Sequence, residues 1–109
     1  MRYYIIVNPI SGRGNAGKSI PHIEELLRSH NLDYKLVQTE RPWHAAELAE
    51  AAARAGYDVV ASASGDGTAN EALNGIMRAR AAGFNKTAFT VLPVGTGNDM
   101  LFGLGHHHG

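Results

Sequence analysis

Short runs of apolar residues alternate along the chain with longer stretches in which apolar residues recur every three or four positions. The short runs are rich in β-branched and aromatic residues and predict β-strands, whereas the longer stretches predict helices with one inward face. Strands are predicted at 2–7, 33–38, 57–61 and 87–92, and helices at about 18–30, 43–54 and 68–81. We therefore expect an α/β domain of βαβαβαβ order, a three-layer αβα sandwich around a mainly parallel sheet.

Residues that commonly end or begin helices agree with these bounds. Asn31, Gly56 and Gly83 each follow a predicted helix, where such residues often end the last turn. Pro42 lies at the start of the second predicted helix, where the fixed φ of proline is favourable. Trp43 comes next and is expected to pack inward.

Every unusual loop in the sequence follows a predicted strand. These loops are 8–17, 39–42, 64–68 and 93–99. Because the strands of a parallel sheet all end at the same edge, the four loops should meet there, where α/β sheets bind their ligands. The sequence therefore predicts a ligand site at the carboxyl edge of the sheet.

The glycine-rich turn Ser64-Gly65-Asp66-Gly67-Thr68 is the most specific of these loops. Glycine permits the positive φ angles of a tight turn, and successive N–H groups at such a turn can surround an anion. The helix that follows points its positive end at the same place. Thr68 and Glu71 match a capping box, which predicts that this helix begins at Thr68. The pattern indicates a phosphate-sized site that contains the Asp66 carboxylate.

Composition narrows the functional classes. Ten Lys and Arg residues balance ten Asp and Glu residues, which gives no electrostatic case for binding nucleic acid. The absence of cysteine excludes disulfides and thiolate metal sites and suits a cytoplasmic protein. No apolar run approaches the ~20 residues of a membrane span, and the apolar N-terminal run is too short for a signal peptide.

The first loop matches two common nucleotide-binding motifs. The segment from Gly12 to Ser19 fits the Walker A pattern, with Lys18 and Ser19 as phosphate and magnesium ligands. Its glycines also fit a dinucleotide fingerprint, with Glu40 as a ribose ligand. However, four residues separate the strand from Gly12, and neither motif explains the glycine turns at 64–68 and 93–99.

A third interpretation accounts for all of the loops. Its motifs are Asn8-Pro9-x-Ser11-Gly12, then Ser64-Gly-Asp-Gly-Thr-x-Asn-Glu71, and finally Pro93-x-Gly-Thr-x-Asn-Asp99. In this order they resemble the N-terminal catalytic subdomain of the diacylglycerol kinase family, which includes bacterial lipid kinases and sphingosine kinases. A Gly-Asp-Gly-Thr turn also occurs in NAD kinases and phosphofructokinases, whose N-terminal domains share the broad fold. The Asn-Pro-x-Ser-Gly opening favours the lipid kinases, although Ser64 stands where that family usually has glycine.

The resemblance implies an ATP- and Mg²⁺-dependent kinase that phosphorylates a diacylglycerol-like lipid hydroxyl. Asp66 would hold the metal and support catalysis. The implied nucleotide-binding residues are Asn8, Gly12, Thr39, Ser64, Gly65, Asp66, Gly67, Thr68, Asn70, Glu71, Gly95, Thr96 and Asn98.

The resemblance covers residues 1–102 and leaves 103–109 as a tail, expected to be tag-derived or disordered. Family members continue into a β-rich C-terminal domain that carries the general base. We therefore expect these 109 residues to bind nucleotide without turnover. In the full-length protein we expect the partners to be a lipid substrate, transient contacts with a membrane surface, and a second copy of the chain.

Two alternatives stay open at this point. The first is an NAD or sugar-phosphate kinase of the same broad fold. The second is a nucleotide-binding or assembly module without catalysis, which dimerises through a surface that a further domain would cover.

Overall fold

The computed structural model describes residues 1–10, 15–63 and 66–92. Within these ranges four strands form one sheet in the order β2-β1-β3-β4, and every neighbouring pair is parallel. The elements are β1 (Arg2–Val7), α1 (Asn15–Lys18), α2 (Ile20–Ser29), β2 (Asp33–Gln38), α3 (His44–Arg54), β3 (Val59–Ser62), α4 (Asp66–Ala81) and β4 (Ala88–Val91). The predicted α/β class is confirmed.

Successive side chains of the central strand β1 enter opposite layers, as the pleat of a strand requires. Tyr4 and Ile6 pack with α3 and α4, whereas Ile5 and Val7 pack with α2. Helices therefore cover both faces of the sheet, and the core has two halves. The α2 half also contains Ile23 and Leu27, the buried residues of that helix.

Helices α3 and α4 approach each other closely because their facing residues are small. Ala45, Ala49 and Ala53 of α3 are almost fully buried. At Gly75 of α4, an added Cβ would collide with the carbonyl oxygen of Ala46 and lie 2.9 Å from the Glu50 nitrogen. This glycine is required by the contact between the helices, not by its own φ.

The predicted bounds of the strands need small corrections. β1 and β2 have the predicted bounds, but β3 begins at Val59, two residues later than predicted. Before it, the Asp58 N–H donates to the Arg2 carbonyl, and the Asp58 carboxylate accepts the Arg2 N–H at 2.7 Å. β4 is one residue shorter at each end than predicted. Thr87, just before it, donates its hydroxyl to the Tyr57 carbonyl.

Three predictions about helix starts are wrong. The helix predicted from Lys18 is divided into α1 and α2, with Ser19 as the N-cap of α2. α3 begins at His44, and Trp43 before it is left-handed (φ 65°) and 51% exposed, so it does not pack inward. α4 begins at Asp66, which places Thr68 inside the first turn and excludes the predicted capping box.

The predicted helix ends agree with the backbone. Asn31, Gly56 and Gly83 all have positive φ, at 56°, 87° and 101° respectively. Their N–H groups donate back to the last turns of α2, α3 and α4. Each residue therefore ends its helix in the left-handed conformation that the sequence indicated.

Candidate functional site

A cleft of about 450 Å³ opens at the carboxyl edge of the sheet. This volume lies within the range of about 300–1,000 Å³ that is typical of small-molecule sites. The cleft lies between the loop after β1, the loop after β2 and the first turns of α4. Its lining residues are Asn8, Pro9, Ile10, Thr39, Glu40, Arg41, Pro42, Thr68 and Glu71.

Asn8 follows the last residue of β1 and fixes the shape of the first loop. Its side-chain Nδ2 donates to the hydroxyl oxygen of Thr68 at 3.2 Å, and its Oδ1 accepts the Ile10 N–H at 3.2 Å. The second bond is an Asx turn, which bends the chain immediately after the strand. Asn8 therefore connects the first loop to α4 across the cleft.

The first turns of α4 form the opposite wall of the cleft. Thr68 and Glu71 are three residues apart, so they lie on the same face of the helix. Thr68 is only 7% exposed. Next to it, Gly67 has no positive φ, and an added Cβ would meet nothing within 4 Å. Neither the backbone conformation nor packing against the described residues requires a glycine there, and this open space lies beside the helix N-terminus.

The loop between β2 and α3 forms the third wall and is held at several points. The Thr39 N–H donates to the Val7 carbonyl at 2.8 Å and continues the ladder of the sheet past β2. The Glu40 N–H donates to Nδ1 of His44 at 2.9 Å. His44 is half-buried and caps this loop.

Arg41 carries the positive charge of this wall. Its two terminal nitrogens donate to the two carboxylate oxygens of Glu47 in α3, at 2.8 and 2.7 Å. These hydrogen bonds, and then the opposite charges, raise the pKa of Arg41 and lower the pKa of Glu47. Both side chains are more than half exposed, at 53% and 56%. Water screens the pair, which therefore adds little to stability.

The structure brings together four residues that the sequence selected, namely Asn8, Thr39, Thr68 and Glu71. Gly67 and Asn70 are exposed on α4 and do not line the cleft, and the side chain of Asn74 bonds the Asn70 carbonyl at 3.0 Å. Asp66 is the first residue of α4. Outside the described residues lie Gly12, Ser64, Gly65, Gly95, Thr96 and Asn98.

Sequence reasoning placed Ile10, Arg41 and Pro42 in loops at the site but did not select them as ligand-binding residues. Glu40 was considered only as a ribose ligand. Their position in the sequence could have identified them as lining residues, because they lie close to Asn8 and Thr39 in loops that follow strands. Residues three or four positions beyond a strand end can still face the site.

The Walker A interpretation finds little support in the described part of its segment. Lys18 belongs to α1 and is not among the residues that line the cleft. Gly17 has a packing role, since its N–H donates to the Pro9 carbonyl at 3.1 Å and an added Cβ would lie 2.8 Å from that oxygen. Close packing therefore accounts for this glycine without a phosphate.

Within 1–10, 15–63 and 66–92, no three His, Cys, Asp or Glu side chains are grouped so as to hold a metal ion. In the same part of the chain, no helix has the length and apolar character needed to cross a membrane.

Comparison with known proteins decides the family. A family model for the diacylglycerol kinase catalytic domain matches residues 2–108. The chain belongs to this family. The resemblance and the fold that the sequence suggested are therefore confirmed, and the chain is a lipid kinase catalytic-domain sequence.

Its relatives include kinases of two lipid classes. Sphingoid long chain base kinase 5 of Saccharomyces cerevisiae is 36% identical over 100 residues, which cover 89% of this chain and 15% of the yeast protein. Human sphingosine kinase 2 is 34% identical over 110 residues, which cover 99% of this chain and 17% of the human protein. A Staphylococcus haemolyticus diacylglycerol kinase is 36% identical over 96 residues, which cover 88% of this chain and 28% of the bacterial protein. The chain thus spans less than a third of the length of each of these relatives.

A solved structure has the same fold. The crystal structure of a diacylglycerol kinase from Bacillus anthracis superimposes with a TM-score of 0.70 at 26% identity. The match covers 90% of this chain and 34% of the bacterial one.

Proposed function

We propose that this chain is the nucleotide-binding part of a kinase that transfers the γ-phosphate of ATP to a lipid hydroxyl of the diacylglycerol type. The observation that carries the proposal is the cleft at the carboxyl edge of the sheet. It is lined by Asn8, Thr39, Thr68 and Glu71, which the resemblance implies as nucleotide-binding residues. Membership in a lipid kinase family supports the reaction class.

The cleft and the adjoining N-terminus of α4 have features that a phosphate chain requires. The open space at Gly67 lets a ligand approach the backbone where a side chain would otherwise project. It lies at the N-terminus of α4, a 16-residue helix whose first N–H groups have no partner within the helix and favour an anion. The Thr68 hydroxyl, which accepts the Asn8 bond, can donate its own hydrogen to a phosphate oxygen. These groups would orient the phosphates for transfer, which depends mainly on positioning and charge.

The carboxylates fit a magnesium ion bound together with the nucleotide. Mg²⁺ is usually held by one or two carboxylates and by substrate phosphates, and it keeps several waters. We assign Asp66 as the principal ligand because it opens α4, two residues before Thr68. Glu71 lines the same wall one turn later. When bound, the ion would neutralise negative charge on the phosphates.

The lipid hydroxyl also needs a base that takes its proton. We place this base outside these 109 residues, in agreement with the greater length of the relatives. The chain alone is therefore expected to bind nucleotide and not to phosphorylate lipid. Robust lipid phosphorylation by the isolated chain would contradict this part of the proposal.

An NMR titration with Mg·ATP tests the assignment, using the ¹⁵N-labelled chain and its Asp66→Ala and Lys18→Ala variants. We expect saturable shifts centred on Asn8, Thr39 and Thr68, which weaken strongly in Asp66→Ala and little in Lys18→Ala. Loss of binding in Lys18→Ala with no effect of Asp66→Ala would instead support a P-loop. An absence of saturable shifts in the unmodified chain would overturn the nucleotide assignment itself.

A further inference from the structure

Among the described residues that line the cleft, acidic side chains outnumber basic ones. Glu40 and Glu71 contribute carboxylates, and Arg41 is the only cation among the described residues that line it. A triphosphate carries several negative charges, so these carboxylates oppose its entry unless cations offset them. Magnesium supplies part of that charge. A fixed guanidinium would supply another part and would favour nucleotides with longer phosphate chains.

The backbone on both sides of Arg41 is fixed in place. On its N-terminal side, the Glu40 N–H is bonded to the His44 ring. On its C-terminal side, the Arg41 carbonyl accepts the His44 N–H at 3.2 Å. The loop therefore holds Arg41 at the mouth of the cleft at small entropic cost when a ligand binds.

Glu47 fixes the guanidinium in turn. The two bonds of 2.7 and 2.8 Å form the planar, bidentate arrangement that Arg and carboxylate prefer. Arg has five N–H donors, and Glu47 engages two of its nitrogens, so donors remain for a second anion. Since an exposed ion pair contributes little to stability, pre-orientation of the guanidinium is the better explanation for this geometry.

We propose that Arg41 binds the phosphate chain of the nucleotide and that Glu47 positions it. Arg41 then determines specificity, because it distinguishes nucleoside polyphosphates from nucleosides. The inference rests on the proposed function, since it requires that the cleft binds nucleotide. It adds a residue that lies in neither the glycine-rich turn nor the first loop.

Binding of ATP, ADP, AMP and adenosine to the chain in Mg²⁺ tests the inference. The intrinsic fluorescence of Trp43 serves as the signal, since this is the only tryptophan and it lies two residues after Arg41. We expect Arg41→Ala to weaken ATP binding about tenfold, the low end for a charge-assisted hydrogen bond at an exposed site. Adenosine binding should be unchanged. Arg41→Lys should recover only part of the loss, because lysine keeps the charge and lacks the planar fork.

Arg54→Ala is the matched control. Arg54 also pairs with a glutamate of α3, at 3.2 Å from Glu50, but it does not line the cleft. This variant should bind all four ligands like the unmodified chain, and thermal melts should confirm that both alanine variants fold.

The possible failures are distinguishable. Equal losses for ATP and adenosine in Arg41→Ala would mean that Arg41 only holds the loop, which overturns the inference. Unchanged ATP affinity would also overturn it while leaving the proposed function intact. If the unmodified chain bound none of the four ligands, both proposals would fall together.

Discussion

The side-chain amide of Asn8 donates a hydrogen bond to the hydroxyl oxygen of Thr68, 60 residues further along the chain, at 3.2 Å. Asn8 follows β1, and Thr68 lies in the helix that follows β3, the strand next to β1 in the sheet. The helices that leave these two strands cover opposite faces. The bond therefore spans the crevice between adjacent strands whose connections diverge, which is where open α/β sheets bind ligands.

This bond predicts energetic coupling between the two residues. Thr68→Val keeps the shape of the side chain but leaves the half-buried Asn8 amide without its acceptor. We expect the free energy of unfolding to fall by about 1–2 kcal/mol, as for other buried hydrogen bonds that lose one partner. Thr90→Val, at an exposed position of β4, should change stability by less than about 0.5 kcal/mol. Urea denaturation measures both.

A double-mutant cycle of Asn8→Ala and Thr68→Val isolates the coupling. We expect an interaction energy of about 0.5–1.5 kcal/mol, since the second substitution no longer breaks an intact bond. If the two effects were simply additive, the bond would contribute nothing to the folded state, and the connection across the crevice would need another explanation.

Gly75 and Gly67 of the same helix should respond oppositely to alanine. At Gly75 the new Cβ meets the backbone of Ala46 and Glu50, which cannot rotate away. Such overpacking costs about 1–3 kcal/mol, more than the ~1 kcal/mol that alanine gains in helix propensity. At Gly67 the Cβ would have no atom of the described residues within 4 Å. Stability should be equal or slightly higher there, while ATP affinity should fall because the Cβ fills the proposed phosphate space.

Thermal denaturation and Mg·ATP titration of the two glycine variants separate these effects. Equal ATP affinity in Gly67→Ala and the unmodified chain would mean that no phosphate approaches this glycine. A stable Gly75→Ala variant would mean that α3 and α4 can separate without cost.

The sequence predicted the order of the elements because each apolar run is bounded by residues with a clear conformational preference. β2, for example, has the predicted bounds. The start of α4 was wrong for a physical reason. Thr68 and Glu71 fit a capping box, but the hydroxyl bonds Asn8, a partner that no local pattern reveals.

The same distinction applies to the candidate site. Asn8 and Thr39 follow strand ends directly, so the topology of a parallel sheet was sufficient to bring them together. Arg41 depends on Glu47, six residues away across the start of α3. The spacing of neighbours along a helix is three or four, so this pair lies outside any helical pattern. Its position could be found only from the fold of the loop.

The left-handed backbone at Trp43 predicts an unusual order of stability. With φ at 65°, a residue with a Cβ is strained by about 1–2 kcal/mol, whereas glycine is not. Trp43→Gly should therefore unfold at a higher urea concentration than Trp43→Ala, since both lose the same indole contacts. At Ala51, exposed in the middle of α3, the order should reverse, and Ala51→Gly should cost about 1 kcal/mol. A Trp43→Ala variant as stable as Trp43→Gly would exclude the left-handed conformation.

Acidification should destabilise the fold through two carboxylates. The Arg41 side-chain hydrogen bonds lower the pKa of Glu47, and the Arg2 backbone N–H is the main cause that lowers the pKa of Asp58. A carboxyl group with a lowered pKa in the folded state stabilises that state above its unfolded pKa, and this contribution is lost as the pH falls through the folded pKa. Stability should therefore decrease below about pH 4, where unfolded carboxylates take up protons.

The double variant Glu47→Gln/Asp58→Asn tests whether these two carboxylates cause the loss of stability at low pH. Glu47 is exposed and Asp58 is partly exposed, so water screens both groups and each effect is small. The comparison between pH values is therefore more informative than either value alone. The difference between urea midpoints at pH 7 and pH 3 should be smaller in the double variant than in the unmodified chain. Glu25→Gln, on the exposed side of α2, should keep the full difference. If the double variant also showed the full difference between the two urea midpoints, other carboxylates would dominate acid unfolding. The contacts of Glu47 and Asp58 would then contribute little to the stability of the fold.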